Sequence, residues 1–315
     1  MRVRAILISN IPIGIIASVL GYKYIRDTVR IKAYLDIIGM LLLSSALALI
    51  SYAAVDFAGE GLASSNIKLF VIGVFFGLAF IRYEKHTSHP IINFSSLDNR
   101  VLKYSIIAAF FLNLGYLSVV FLITMFLQGV RSLSPLDAAL LLIPGYVAGS
   151  LLSPFMGGLS DRYGARIIAT LGCAFTIVAT MIYLMLRVDT PLYFVLVASG
   201  ISGVGTSMFF PSNNSAVMAN APATAYGGIS GTLRTVQNIG ILGSFVVSIT
   251  VASAAIPRNM AFEVFIGTTN LVGELSIAFI KGIDSALAVS IIIIAFAGIM
   301  SWMRGTEKRG GTINK

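Results

Sequence analysis

From about Ala138 to Met156 the chain carries no charged residue and interrupts its apolar run only with Pro, Gly and Ser. At roughly 1.5 Å per residue, a helix over this run crosses a hydrocarbon core of about 30 Å. The run sits inside the stretch Phe126–Arg166 and leaves it through Gly157-Gly158-Leu159-Ser160-Asp161-Arg162-Tyr163-Gly164-Ala165-Arg166. A second apolar run follows at once. The segment between them therefore reads as a tight, charged hairpin turn whose side chains need water or lipid phosphate.

The same pattern recurs along the chain, at about 5–22, 37–54, 69–81, 105–127, 167–186, 193–210, 228–252 and 286–302. This predicts an all-α polytopic membrane protein with about nine transmembrane helices. Composition agrees: 57% of residues are hydrophobic and 11% charged, where a soluble domain carries about a quarter charged. The net charge of +9 then reads as basic loops at a membrane surface, and nucleic acid is not expected as a partner.

Alternating the connections from side to side puts fifteen of the 22 lysines and arginines on one face and seven on the other. The richer face holds Arg162, Arg166, Arg234 and the tail after Met303, and the charge rule makes it cytoplasmic. Met1 then falls outside with Arg2 and Arg4, where basic residues are disfavoured. Helices preceding Met1 would resolve that conflict.

The single Cys173 reads as a small apolar packer, and His86 and His89 lack the partners of a metal site, so none is expected. No acid falls near the middle of a predicted span. A charge there would cost about 2.5–3.5 kcal/mol and would flag function. Asp36 and Asp284 are placed near helix starts. The remaining polar groups are Asn113, Thr124 and Gln128 on one span and Arg234, Gln237 and Asn238 on another, the last three sharing a face by their spacing. They either hydrogen-bond neighbouring helices, at about 0.6 kcal/mol each, or line a polar cavity. In the charged turn, Gly157 is expected to let helix ends pack closely and Gly164 to supply a positive φ. Asp161 ends a helix whose dipole disfavours it, so it needs an arginine or another helix N-terminus. Arg162 and Arg166, four apart, can reach lipid phosphate or a neighbouring helix end.

The pattern G-x-x-x-D-R-x-G-x-R over Gly157–Arg166 resembles the loop signature of the major facilitator superfamily, in the copy between the second and third helices of the C-terminal bundle. Other pieces match in order: Asn10-Ile11-Pro12-Ile13-Gly14, Leu35-Asp36, His89-Pro90-Ile91-Ile92, Leu127-Gln128, Ser134-Pro135, Pro144, Gly203-x-Gly205 with Pro211, Arg234 with Gly240, and Phe279 with Gly282. Together they resemble the fourteen-helix drug:proton antiporters over nearly the whole chain. Ser132 and Ala139 stand where that family usually has glycine.

The resemblance implies a domain plan. Residues 1–22 would be the last helix of an N-terminal bundle, 23–104 two linker helices with cytoplasmic loops, 105–303 the six-helix C-terminal bundle and 304–315 a basic cytoplasmic tail. The first five helices would be absent. It also implies export of amphipathic drugs by proton antiport, through two bundles that rock about a central cavity in the plasma membrane. Gly157, Asp161, Arg162, Gly164 and Arg166 would form a conformational latch. Asn113, Gln128, Arg234, Gln237 and Asn238 are candidates for cavity or inter-bundle contacts. No cofactor is expected beyond coupling to the proton gradient, and the coupling acid would lie in the absent half. The expected partners are the lipid bilayer, a small lipophilic substrate and an N-terminal half-transporter chain. Two other readings stay open: a truncated fragment without activity, and a membrane-embedded enzyme or sensor, for which no catalytic cluster is found.

Overall fold

Apolar runs of this length leave a backbone in lipid one economical solution, in which every N–H and C=O is paired within its own segment. The computed structural model describes residues 2–24, 36–60, 63–87, 90–91, 98–222, 225–253 and 274–305, and these form nine α-helices. They are α1 Arg2–Tyr24, α2 Ile37–Glu60, α3 Ser64–Glu84, α4 Arg100–Met125, α5 Pro135–Tyr163, α6 Ala165–Leu184, α7 Tyr193–Asn220, α8 Tyr226–Ser253 and α9 Glu274–Met303. A π-helical turn, Phe126–Val130, extends α4. Seven of the nine are long and apolar enough to cross a membrane, and the chain is a multi-pass membrane protein. The basic linker 25–35, His89 and the tail 306–315 lie outside the described residues.

Residues 1–35 and 36–315 make two compact units. The first holds α1, with Pro12 inside it. In the second, α7 packs between α5 and α6, α4 packs against α8 and α9, and α9 closes onto α6. Helices α2 and α3 form a hairpin, and α2 also touches α8.

Local chemistry sets the helix starts. The Asn99 side chain accepts the Val101 and Leu102 amides at 2.9 and 3.3 Å, capping α4. Ser134 accepts the Asp137 amide at 3.2 Å with Pro135 in the first turn of α5, and Asp36 accepts the Gly39 amide at 2.9 Å at the start of α2. Each such cap contributes about 1 kcal/mol.

Several boundaries differ from those read in the sequence. α7 continues through Pro211 to Asn220, ten residues past Phe210, and buries Ser212 and Asn213 completely. α9 begins at Glu274, well before Ala286, so Asp284 lies inside a membrane-spanning helix and not at its start. The apolar run of α5 does not exit into a turn at Gly157. It stays helical through Tyr163, and the reversal is confined to Gly164.

Glycine gives the closest helix contacts. A Cβ on Gly203 would lie 2.1 Å from the Gly145 carbonyl oxygen, and one on Gly205 would lie 2.7 Å from that of Gly172. Residues two apart on a helix face nearly opposite ways. The Gly203-x-Gly205 pair therefore presses α7 against α5 on one side and α6 on the other. Elsewhere three hydroxyls tie the bundle: Ser118 and Ser248 are 2.6 Å apart, and Ser290 donates to Ser118 at 3.1 Å, linking α4, α8 and α9.

Candidate functional site

The charged signature lies where α5 meets α6. Gly164 adopts φ 93°, as the sequence reading expects, and serves as the C-cap of α5 and the N-cap of α6. Its amide donates to Ser160 O at 2.8 Å. Because Gly164 separates them, Arg162 and Arg166 belong to different helices and do not share a face. Asp161 and Arg162 are exposed, whereas the Arg166 guanidinium stacks 3.9 Å above the centre of the Trp302 ring. Arg166 thus reaches the end of α9. The expectation that Gly157 permits close helix packing is not met among the described residues: a Cβ there would find nothing within 4 Å. The signature points its glycine, acid and first arginine outward.

The five candidate cavity residues separate into three groups by burial. Asn113 is buried, donates to Ala109 O at 2.8 Å, and lies where Gly240 of α8 approaches α4. Gln237, one turn before Gly240, is buried as well. Arg234 and Asn238 are exposed, so the shared face expected from spacing is divided. Gln128 is half-buried in the π-helical turn.

Sequence reading missed a cavity in the other half of the bundle. It measures about 20 Å³, room for one water, and its polar lining comes from Tyr116, Tyr146, Tyr183, Ser199 and Ser202. Helices α4 to α7 each contribute. Its floor repairs a proline defect. Pro144 disturbs the α5 hydrogen-bond ladder, and Ser199 of α7 enters the gap, accepting the Gly145 amide at 3.0 Å and donating to Leu142 O at 2.9 Å. The hydroxyls of Tyr116 and Tyr183 sit beside Ser202 and Ser199. A proline one residue before a glycine on α5, and serines three apart on α7, were the available signal.

At the same end, Arg131 donates to the carbonyls of Val188 and Thr190, and Arg187 pairs with Asp284 at 3.3 Å. Charge counting put Arg131 and Arg187 on one face and Arg100, Arg166 and Arg304 on the other, and the bundle separates them in the same way. With side chains 57% and 28% exposed, the Arg187–Asp284 pair is largely screened. Asp284→Asn is expected to cost less than about 1 kcal/mol in thermal unfolding.

Ser132, which occupies a usual glycine position of the resembled family, adopts φ 51°. A side chain in this left-handed region costs about 1 kcal/mol. Ser132→Gly is therefore expected to raise the melting temperature, measured by size-exclusion after heating.

The profile of the Major Facilitator Superfamily matches residues 3–245. The chain is 30% identical over 238 residues to the riboflavin transporter RibZ of Clostridioides difficile, covering 75% of this chain and 51% of that protein. It is 25% identical over 288 residues to the lincomycin resistance protein LmrB of Listeria monocytogenes, covering 90% and 60%. It is 22% identical over 237 residues to the multidrug efflux pump LfrA of Mycolicibacterium smegmatis, covering 75% and 47%. The chain thus spans about half to three fifths of the length of these relatives. With an all-helical membrane bundle, the loop signature at the α5–α6 junction and a family match over most of its residues, the chain belongs to the Major Facilitator Superfamily.

Proposed function

We propose that this chain is the C-terminal part of a secondary active transporter that exports amphipathic organic compounds by proton antiport. Alternating access would come from rocking against an N-terminal bundle. The orientation of the signature carries this reading: among the described residues nothing lies within 4 Å of a Cβ on Gly157, and Asp161 is exposed. Support also comes from α5, whose Leu151 and Phe155 are 65% and 74% exposed, an apolar face suited to lipid or a second bundle. The relatives named for lincomycin resistance and multidrug efflux favour drug-like substrates, and the riboflavin transporter widens the range to flavin-like ring systems.

In this reading the protein sits in the cell membrane with the α5–α6 junction and the C-terminus in the cytoplasm, because that face holds most of the basic residues. The coupling acid is placed in the N-terminal bundle, and Asp284 pairs with Arg187 near the opposite end. Asp161 docks on a helix N-terminus of the partner bundle and stabilises one of the two access states. Co-expression with an N-terminal half should yield energised dye efflux that Asp161→Asn lowers by about tenfold, a coupling of about 1.4 kcal/mol. Equal efflux from the wild type and the variant removes the latch role.

A further inference from the structure

The last turn of α9 gathers arginines from three helices. Arg100, at the start of α4, donates from Nε to Met303 O at 3.1 Å. Arg304 is fully buried and donates to Ser301 O and Oγ at 2.9 and 2.5 Å. Arg166, at the start of α6, lies over Trp302, and its buried Nε has no hydrogen-bond partner. Neither Arg100 nor Arg166 has a carboxylate within 4.0 Å among the described residues. Among the described residues the cluster holds no counter-charge for those two groups, although Thr170 and Ser301 fasten α6 to α9 beneath it at 3.1 Å. The backbone there is also electropositive, because the first turn of α6 has neither a side-chain cap nor an acid.

What surrounds the cluster is apolar. Trp302 is 52% exposed, and below it Ile299, Phe296 and Ile292 form an exposed stripe down α9. On α6, Ile167 and Leu171, which follow Arg166 and Thr170 in sequence, are exposed as well. A free anion has no use for such a stripe, whereas a lipid places its phosphate at the arginines and its acyl chains along the two helices. The half-exposed tryptophan at the boundary is the residue type that settles at the lipid–water interface.

We propose that Arg166 and Arg100, with Trp302, bind the phosphate headgroup of an anionic phospholipid whose acyl chains lie against α6 and α9. Stacking uses the face of the guanidinium and leaves its edge N–H groups as donors for phosphate, and arginine is suited to both contacts. Occupancy by lipid supplies a counter-charge and holds the α4, α6 and α9 ends together.

Trp302 is the single tryptophan of the chain, so its fluorescence reports this site alone. The full chain is reconstituted in phosphatidylcholine vesicles carrying a fixed fraction of brominated phosphatidylglycerol or brominated phosphatidylcholine in both leaflets. The expected result is stronger quenching by phosphatidylglycerol, a relative binding constant of about fivefold or more, from roughly one arginine's attraction or better. Arg166→Gln and Arg100→Gln each reduce the preference and together bring it to about unity, while Arg187→Gln, at the opposite end, keeps it. If Arg166→Gln does not fold, Arg100→Gln alone still has to reduce the preference. Inorganic phosphate added to the vesicles leaves quenching unchanged. Equal quenching by the two lipids, preference surviving the double variant, or displacement by inorganic phosphate overturns the proposal.

Discussion

Alanine at Gly203 is expected to cost the bundle most of its folded population. Its Cβ would lie 2.1 Å from a backbone oxygen of α5, and 2.8 Å from the carbon that carries it. No rotamer relieves a clash between one backbone and another, so α5 and α7 have to part. Overpacked cores lose about 1–3 kcal/mol when side chains can yield, and here only whole helices can, so the loss should exceed that range. Separating them also strands Ser199 from α5. The measurement is the monodisperse fraction after detergent extraction and mild heating. Gly200→Ala is the control, because a Cβ there meets nothing within 4 Å, and it should behave as the wild type.

The second large effect is expected at Ser199. Its hydroxyl serves the Gly145 amide and the Leu142 carbonyl where proline has disturbed the α5 ladder. Ser199→Ala removes both bonds; the Leu142 carbonyl keeps a helical partner, whereas the Gly145 amide beside the proline loses its inter-helix acceptor. One buried group left unsatisfied costs about 1–3 kcal/mol, and a loss in that range is expected. Ser207→Ala is the comparison: Ser207 is equally buried, but its hydroxyl only donates to Val204 O at 2.7 Å on its own helix. That carbonyl keeps a helical partner, and the change should cost under about 1 kcal/mol. A Ser199 variant as stable as the Ser207 variant would remove the repair from the account.

These two sites show what the sequence made legible and what it did not. Every apolar run became a helix, because length and hydropathy alone decide that in a bilayer. Helix ends were harder. The apolar run read over 193–210 stops before Ser212 and Asn213, yet both are wholly buried on the same helix, and their side-chain polar atoms find no hydrogen-bond partner among the described residues. Lys281 and Asp284 concealed the first turns of α9, since a hydropathy reading cannot see that Arg187 of another loop partners Asp284. In the charged signature, Gly157, Gly158 and Ser160 looked like turn residues, but helix formers on either side carry α5 through them. Gly164, with φ 93°, was the one position that had to break. The superfamily was legible in the signature itself. Spacing gave Asn113 and Gln237 no reason to differ from Arg234 and Asn238; packing of α4 on α8 separated them. The tyrosine and serine cavity was invisible because its members lie on four helices and each reads singly as ordinary membrane packing.

The most direct test of a two-bundle transporter asks whether the unpaired end of α5 is covered by a second bundle. Gly157→Cys places a thiol where the described residues leave nothing within 4 Å, while Cys173 is buried and stays silent as a background thiol. Its maleimide labelling rate would be measured in membranes, in the chain alone and in the chain co-expressed with an N-terminal half. Fast labelling is expected alone and protection of about tenfold when paired, with substrate dye shifting the protection as the access states exchange. Equal labelling alone and paired, with both halves present in the membrane, would contradict the two-bundle reading.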